Sequence, residues 1–269
     1  MDDLLHLLEP REKGCPNIGT FKGGSKEGEE MKAVEVKGLI KRFGDFKALR
    51  GCSFNVDEGE VFGLIGPNGA GKTTTLRIIA TLLRPTSGSV KVFGLDVEKR
   101  ADEVRRMVSY LPEEAGAYRN LSGEEYLRFI ASFYSEDVEA MVREGKRISG
   151  LRERLRDRIK TYSRGMVRRL LLARTLMTSP RLAILDEPTS GLDVIYAYEV
   201  RRLIKGYAEE RGITILLSSH NMLEVEYLCD RVALIDGGVI IEEGSPGELR
   251  EHYGAENLEE VFMEATGRG

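Results

Sequence analysis

The segment that most constrains this chain is Gly66-Pro67-Asn68-Gly69-Ala70-Gly71-Lys72-Thr73, with the apolar run Val61-Phe62-Gly63-Leu64-Ile65 before it and a helical pattern after it. It fits G-x-x-x-x-G-K-[ST] in full, in a strand, loop and helix context. The glycines let the backbone curl until consecutive N–H groups face inward, a shape suited to phosphate oxygens. The helix, expected from about Lys72 to Leu83, adds the partial positive charge of its N-terminus. Lys72 is placed to reach β- and γ-phosphates, the Thr73 hydroxyl to ligate Mg²⁺, and Thr74 to join the nucleotide contacts.

A second motif completes the first. Leu182-Ala183-Ile184-Leu185 reads as a buried strand ending in Asp186-Glu187. Carboxylates at that position stand on the sheet edge where ligands bind in open α/β folds. Asp186 suits the Mg²⁺ shell, and Glu187 suits orienting or deprotonating an attacking water. From residue 31 onward strand and helix patterns alternate, which predicts an α/β fold with a largely parallel sheet covered by helices. Ile213 to Leu217 is a further buried strand, and Asp236-Gly237-Gly238 reads as a turn between two more. Residues from about 113 to 178 are mostly helical in pattern and read as an insertion into the α/β core.

Residues 1–30 differ from the rest. The stretch Gly23-Gly24-Ser25-Lys26-Glu27-Gly28-Glu29-Glu30 reads as coil, and patterning starts abruptly after Met31. Two readings stand for this head: a disordered arm, or an extension ahead of a true start at Met31. Ordered structure is expected over 31–269 as one domain.

The residues between and beyond the two motifs resemble the ATP-binding cassette (ABC) family. Tyr162-Ser163-Arg164-Gly165-Met166, followed by Val167-Arg168-Arg169-Leu170, is similar to that family's signature at a helix start. Ser190-Gly191-Leu192-Asp193 matches its D-loop, Ser218-Ser219-His220 its switch histidine, and Phe43 the aromatic that stacks on adenine. The resemblance runs from residue 32 to 267. It implies a P-loop NTPase cassette with a mixed or parallel core sheet, antiparallel β elements and a helical subdomain. It also implies ATP and Mg²⁺ as ligands, and two cassettes closing head to tail around two ATP. Ser163 and Gly165 of one subunit would then contact the γ-phosphate held by Lys72 of the other. His220 would bond that phosphate, and Asp193 would communicate across the interface. The partner cassette is either a second copy or a paralogue.

Two positions depart from the common family pattern. Tyr110-Leu111-Pro112 leads into Glu113 where the family usually has Gln, and Arg164-Gly165-Met166 stands where Gly-Gly-Gln is usual. A carboxylate at 113 is a harder metal ligand than an amide, so Glu113 joins Thr73 and Asp186 as a candidate for Mg²⁺. Arg164 is expected to face solvent. Both departures resemble the exporter branch with type-2 permeases, which includes multidrug, antibiotic and sodium exporters. The ending through Ser245-Pro246-Gly247 and Asn257-Leu258-Glu259 resembles that branch too, without the further regulatory domain of some importer cassettes. The chain contains no glutamine at all. That absence, beside 31% charged residues, follows a hyperthermophile tendency. It leaves two accounts of Glu113, functional choice or general avoidance of glutamine.

Composition narrows the partners. Lys plus Arg is 40 against 44 Asp plus Glu, which argues against nucleic-acid binding by bulk positive charge. Cys15, Cys52 and Cys229 form no CxxC pair, so a disulfide framework or zinc site is not expected and a reducing compartment is. No apolar stretch approaches the ~20 residues that span a bilayer, and the acidic start is unlike a signal peptide. The expected location is cytoplasmic, peripheral on the membrane's inner face through a permease. Two roles share these ATP motifs: the motor of a membrane exporter, and a soluble ATPase of iron–sulfur cluster assembly. The Pro112-Glu113 and 162–166 variants favour the first. Chromosome-organising cassettes, tandem translation-factor cassettes and GTPase switches are disfavoured. The motif spacing is short, the cassette is single, and no NKxD motif is present.

Overall fold

The structure is a computed structural model that describes residues 32–268. The head at 1–30 and Cys15 lie outside the described residues.

Two sheets supply two cores. β1 (Lys32–Phe43) and β2 (Phe46–Asp57) form an antiparallel hairpin, with Val34 opposite Val56 and Val36 opposite Phe54. β4 (Ser87–Val92) pairs antiparallel on the other side of β1, and the two-residue β5 (Leu95–Asp96) completes the sheet order β2-β1-β4-β5. The described residues therefore open with consecutive strands and not with a strand–helix alternation. A hairpin carries the same period-two pattern as an isolated strand, so local pattern does not announce its partner.

The larger sheet has the order β10-β9-β3-β8-β7-β6. β3 (Val61–Ile65), β6 (Val108–Leu111), β7 (Leu182–Asp186), β8 (Thr214–Ser219) and β9 (Arg231–Asp236) are parallel, and β10 (Val239–Gly244) runs antiparallel at one edge. Both faces are covered, which explains the continuous apolar runs. Along β7 and β8, Ala183, Leu185, Ile215 and Leu217 join one core, while Leu182, Ile184 and Leu216 join the other. The second core is closed by the inner face of the antiparallel sheet, through Val34, Phe54 and Val90.

α1 (Lys72–Ile79) is shorter than the pattern to Leu83 suggests. Thr81 takes φ 62°, and the Thr81 and Leu82 N–H groups bond back to the Ile78 and Arg77 carbonyls. That is a Schellman stop, which ends a helix whatever the apolar residues beyond it. α2 (Ala101–Met107) leads into β6. Between β6 and β7 lie α3 (Gly123–Ala131), α4 (Val138–Ser149), two 3₁₀ turns and α5 (Arg164–Leu176), as the helical pattern predicts. α3 starts with a Ser122–Glu125 capping box. α6 (Val194–Arg211), α7 (Met222–Leu228), α8 (Pro246–Tyr253) and α9 (Leu258–Ala265) complete the order.

The turn between β9 and β10 is Gly237-Gly238, with φ 52° and 81°, as a type I′ hairpin requires. Gly238 is also a junction. Its N–H donates to the Ala70 carbonyl at 3.0 Å, and its carbonyl accepts from the Arg50 N–H at 2.7 Å. The Cys52 thiol also donates to that carbonyl, at 3.0 Å. A Cβ on Gly238 would lie 2.6 Å from the Ala48 carbonyl oxygen. Cys52 and Cys229 are free and buried, and burial pushes the Cys52 thiol up to about 11. No helix among the described residues is long and apolar enough to cross a membrane.

Candidate active site

Because five strands run parallel, their C-terminal ends reach one edge, where the loops carrying the two sequence motifs emerge together. β3 delivers Gly66–Thr73, β7 delivers Asp186-Glu187, β8 delivers Ser218-Ser219-His220, and β6 delivers Pro112-Glu113.

Lys72, 6% exposed, donates to the Gly66 and Pro67 carbonyls at 2.7 and 3.2 Å. Its ammonium stands 3.2 Å from Glu187 Oε1. The other oxygen of Glu187 meets His220 Nδ1 at 2.7 Å. A buried ion pair of this kind is expensive to desolvate and adds little net stability, so its presence points to chemistry. Asp186 is fully buried, and its Oδ1 accepts from the hydroxyls of Thr73 at 3.1 Å and Ser218 at 2.6 Å. Its Oδ2 accepts from Tyr110 OH at 3.1 Å. Burial, then the neighbouring Asp186 charge, push the Tyr110 phenol up to about 12.

Glu187 takes φ 48°, in the left-handed region where a residue with a Cβ is strained. Its N–H donates to Ser218 Oγ at 3.0 Å. On the other side stands Arg168 of α5, a buried cation to which the sequence alone assigns no role. Its Nε donates to the Pro188 carbonyl at 2.7 Å. Its Nη1 donates to the Pro112 and Glu113 carbonyls, both at 3.1 Å. Its Nη2 donates to the Asp186 and Glu187 carbonyls at 2.9 and 2.7 Å. Burial lowers the guanidinium to about 10, against the raising influence of Asp186 and Glu113. Glu224, at the start of α7, is also buried and accepts from Ser219 Oγ at 2.8 Å. Burial pushes its carboxyl above the usual range.

The remaining sequence-predicted residues stand apart from this cluster. Glu113 is exposed, and its carboxylate accepts only a long bond, 3.4 Å, from Ser190 Oγ among the described residues. Phe43 ends β1, 49% exposed, with Lys41 Nζ 5.0 Å from its ring centroid. Ser163 is the N-cap of α5 and accepts from the Met166 N–H at 3.2 Å. Asp193 caps α6 in the same way, accepting from the Tyr196 N–H at 3.1 Å. Arg164 is exposed, in line with the expectation that it faces solvent. Gly165 is buried, and a Cβ there would lie 2.4 Å from Cγ of Tyr196. Its need for glycine is thus a close helix–helix approach that the sequence did not reveal.

Residues 49–190 match the family model described as ABC transporter. The chain is 39% identical to the daunorubicin/doxorubicin resistance ATP-binding protein DrrA of Streptomyces peucetius, over 89% of this chain and 73% of that protein. It is 40% identical to the bacitracin transport ATP-binding protein BcrA of Bacillus licheniformis, over 78% of this chain and 69% of that protein. With the ABC transporter ATP-binding protein NatA of Bacillus subtilis it shares 37% identity, over 83% of this chain and 92% of that protein. The fold is similar to a solved ATP-binding subunit of an ABC transporter, with TM-score 0.77 and 30% identity over 87% of this chain and 99% of that one. It is also similar to a dimeric ATP-binding cassette in a post-hydrolysis state bound to ADP and Pi, with TM-score 0.71 and 25% identity over 79% and 98%.

Proposed function

Since this chain belongs to the ABC transporter family as an ATP-binding, ATP-hydrolysing subunit, we propose that it drives an exporter by closing head to tail on a second cassette around two ATP. The observation that supports this most is the convergence of Lys72, Asp186, Glu187 and His220, from three strand ends, on one edge.

Each residue has a role that its surroundings favour. The curled backbone of 66–73 and the start of α1 receive phosphate oxygens through N–H groups. Lys72 holds the β- and γ-phosphates. A γ-phosphate competes with Glu187 for the Lys72 ammonium, which leaves the Glu187 carboxylate to take a proton from water. The water oxygen then bonds to the γ-phosphorus as the bond to ADP breaks. Nδ1 of His220 faces Glu187, so Nε2 is the ring atom left to bond the γ-phosphate. Phe43, on an exposed strand end, offers its face to adenine. Ser163 and Gly165, at the N-terminus of α5, serve the partner's γ-phosphate, and Asp193 meets the partner at the dyad.

Mg²⁺ fits the donors present. Thr73 and Asp186 bring a hydroxyl and a carboxylate within 3.1 Å of one another, both hard oxygen donors, and phosphates and waters usually fill the rest of an Mg²⁺ shell. Bound there, the ion would neutralise charge on the β- and γ-phosphate oxygens. Glu113 is the further candidate at the rim.

The exporter reading extends to a permease. The relatives named for drug resistance and bacitracin transport favour export over the iron–sulfur alternative. An exposed edge-to-face series, Tyr118, Phe129 and Phe133, supports reading the helical region at 113–178 as the contact face. Beside it, Leu82, Tyr110, Ile130 and Tyr134 line a groove suited to a permease helix. The chain would then sit on the cytoplasmic face of the membrane. Glu187→Gln tests the core reading: ATP binding and ATP-dependent dimerisation persist while phosphate release falls by about 10²-fold or more. Retained turnover refutes the role of Glu187.

A further inference from the structure

Two buried polar residues near the site have no part in the scheme above: Glu224 and Arg168. Arg168 carries the argument furthest. A guanidinium has five N–H donors in one plane. Each of the five meets a backbone carbonyl here, those of Pro112, Glu113, Asp186, Glu187 and Pro188. Three consecutive carbonyls belong to the exit of β7 and two to the exit of β6. The backbone around Glu187 is therefore fixed on both sides, its N–H by Ser218 and its carbonyl by Arg168. That double hold is what a left-handed glutamate needs in order to persist.

Arg168 also belongs to the helix that begins at Ser163. The two residues stand five apart on one rigid element, about 7.5 Å along its axis. We propose that Arg168 is a positioning residue that couples the α5 N-terminus, which engages the partner's nucleotide, to the backbone of Glu187 in its own subunit. The inference rests on the head-to-tail reading above. A shift of α5 on meeting the partner's γ-phosphate moves the guanidinium, and with it the Asp186–Pro188 and Pro112–Glu113 carbonyls. Each subunit's water-activating residue is thereby set by the site across the dyad, so the two sites hydrolyse cooperatively. The same motion reaches the loop at 112–113, beside the permease-facing region.

The test compares neighbours on one helix. Arg169 faces away and bonds the Ser149 carbonyl and Glu199 Oε2 instead. Arg168→Lys keeps the charge but has three donors and no planar fork. In the full-length chain it should lower kcat about tenfold or more, hold the KM for ATP within about twofold, and bring the Hill coefficient toward one. Arg169→Lys is expected to lose thermal stability while keeping kcat within about twofold. Arg168→Gln, which keeps an amide able to donate twice, serves as the second variant. Wild-type kcat and Hill coefficient in Arg168→Lys overturn the proposal. So does a fall in kcat that tracks Tm equally at 168 and 169, or failure of both Arg168 variants to fold. Glu187→Gln separates the two levels. If that variant is inactive while Arg168→Lys is normal, only this inference falls; if it still turns over ATP, the reading of the site falls with it.

Discussion

Two faces of this chain are assigned to the same reaction, and they are built in opposite ways. At the ends of β3, β7 and β8, Lys72, Asp186 and Glu187 are buried, Lys72 pairing with Glu187 while Asp186 accepts from Thr73 and Ser218. At the starts of α5 and α6, Ser163 and Asp193 are exposed, and each caps only its own helix among the described residues. Val194 and Ile195 beside Asp193 are 82% and 72% exposed. The first face is finished within one chain. The second presents donors, a helix N-terminus and apolar surface outward, and in the proposed dimer a second cassette finishes it. The difference teaches where the two kinds of mutation should act: lesions on the first face disable a subunit's own site, and lesions on the second disable its partner's.

Mixing subunits breaks that distinction most severely. Lys72→Ala and Ser163→Ala homodimers should each lose about 10²-fold in turnover. In a mixed dimer both lesions fall on one composite site and the other is intact, so a mixture should recover ATPase activity that neither has alone. No recovery would mean either that both faces serve the same subunit's nucleotide or that the Arg168 coupling to the site across the dyad is obligatory, and ATP-dependent dimerisation of the mixture tells the two apart. Ser163→Ala also removes a cap, at a cost of about 1 kcal/mol in urea unfolding.

Gly165 sharpens the comparison from the packing side. Gly165→Ala drives a methyl into the Tyr196 ring and should destabilise the chain by about 1–3 kcal/mol, read as a lower urea midpoint. Adding Tyr196→Ala should restore much of that loss. Lack of rescue would separate the α5 start from α6.

The smallest effect belongs to Glu113, which lies between the two faces. Its backbone is held by Arg168, while its side chain makes one long bond among the described residues. Glu113→Gln should therefore change kcat by less than tenfold, about 1.4 kcal/mol of barrier. A larger fall in steady-state phosphate release would make the carboxylate a metal ligand in the closed state.

The first face was the more legible in the sequence. A glycine-rich loop after an apolar strand, and two carboxylates after another, are short contiguous patterns whose chemistry follows from their own residues. What joins them is not contiguous. Ser218 bridges Asp186 and the Glu187 N–H, and Tyr110 reaches Asp186, through register between strands that local pattern does not encode. Arg168 was hidden differently. An arginine on a helix is ordinarily a solvated residue, and only the folded chain shows five carbonyls converging on it. By the resemblance Gly165 stands at a helix start facing a γ-phosphate, yet its glycine also answers to a tyrosine on the next helix. The helix end at Ile79 is not legible in the sequence because apolar residues continue past a backbone stop.

The Gly237-Gly238 turn has a practical consequence for anyone engineering this chain. A two-glycine hairpin tip is ordinarily an inviting place to splice a tag or a fluorescent label. Here the tip is tied to Ala70 in the glycine-rich loop and to Arg50 and Cys52 on the other sheet, so an insertion would pull on the phosphate cradle from behind. Gly254, between α8 and α9, has no atom within 4 Å of where a Cβ would stand, and a graft there would leave the cradle alone.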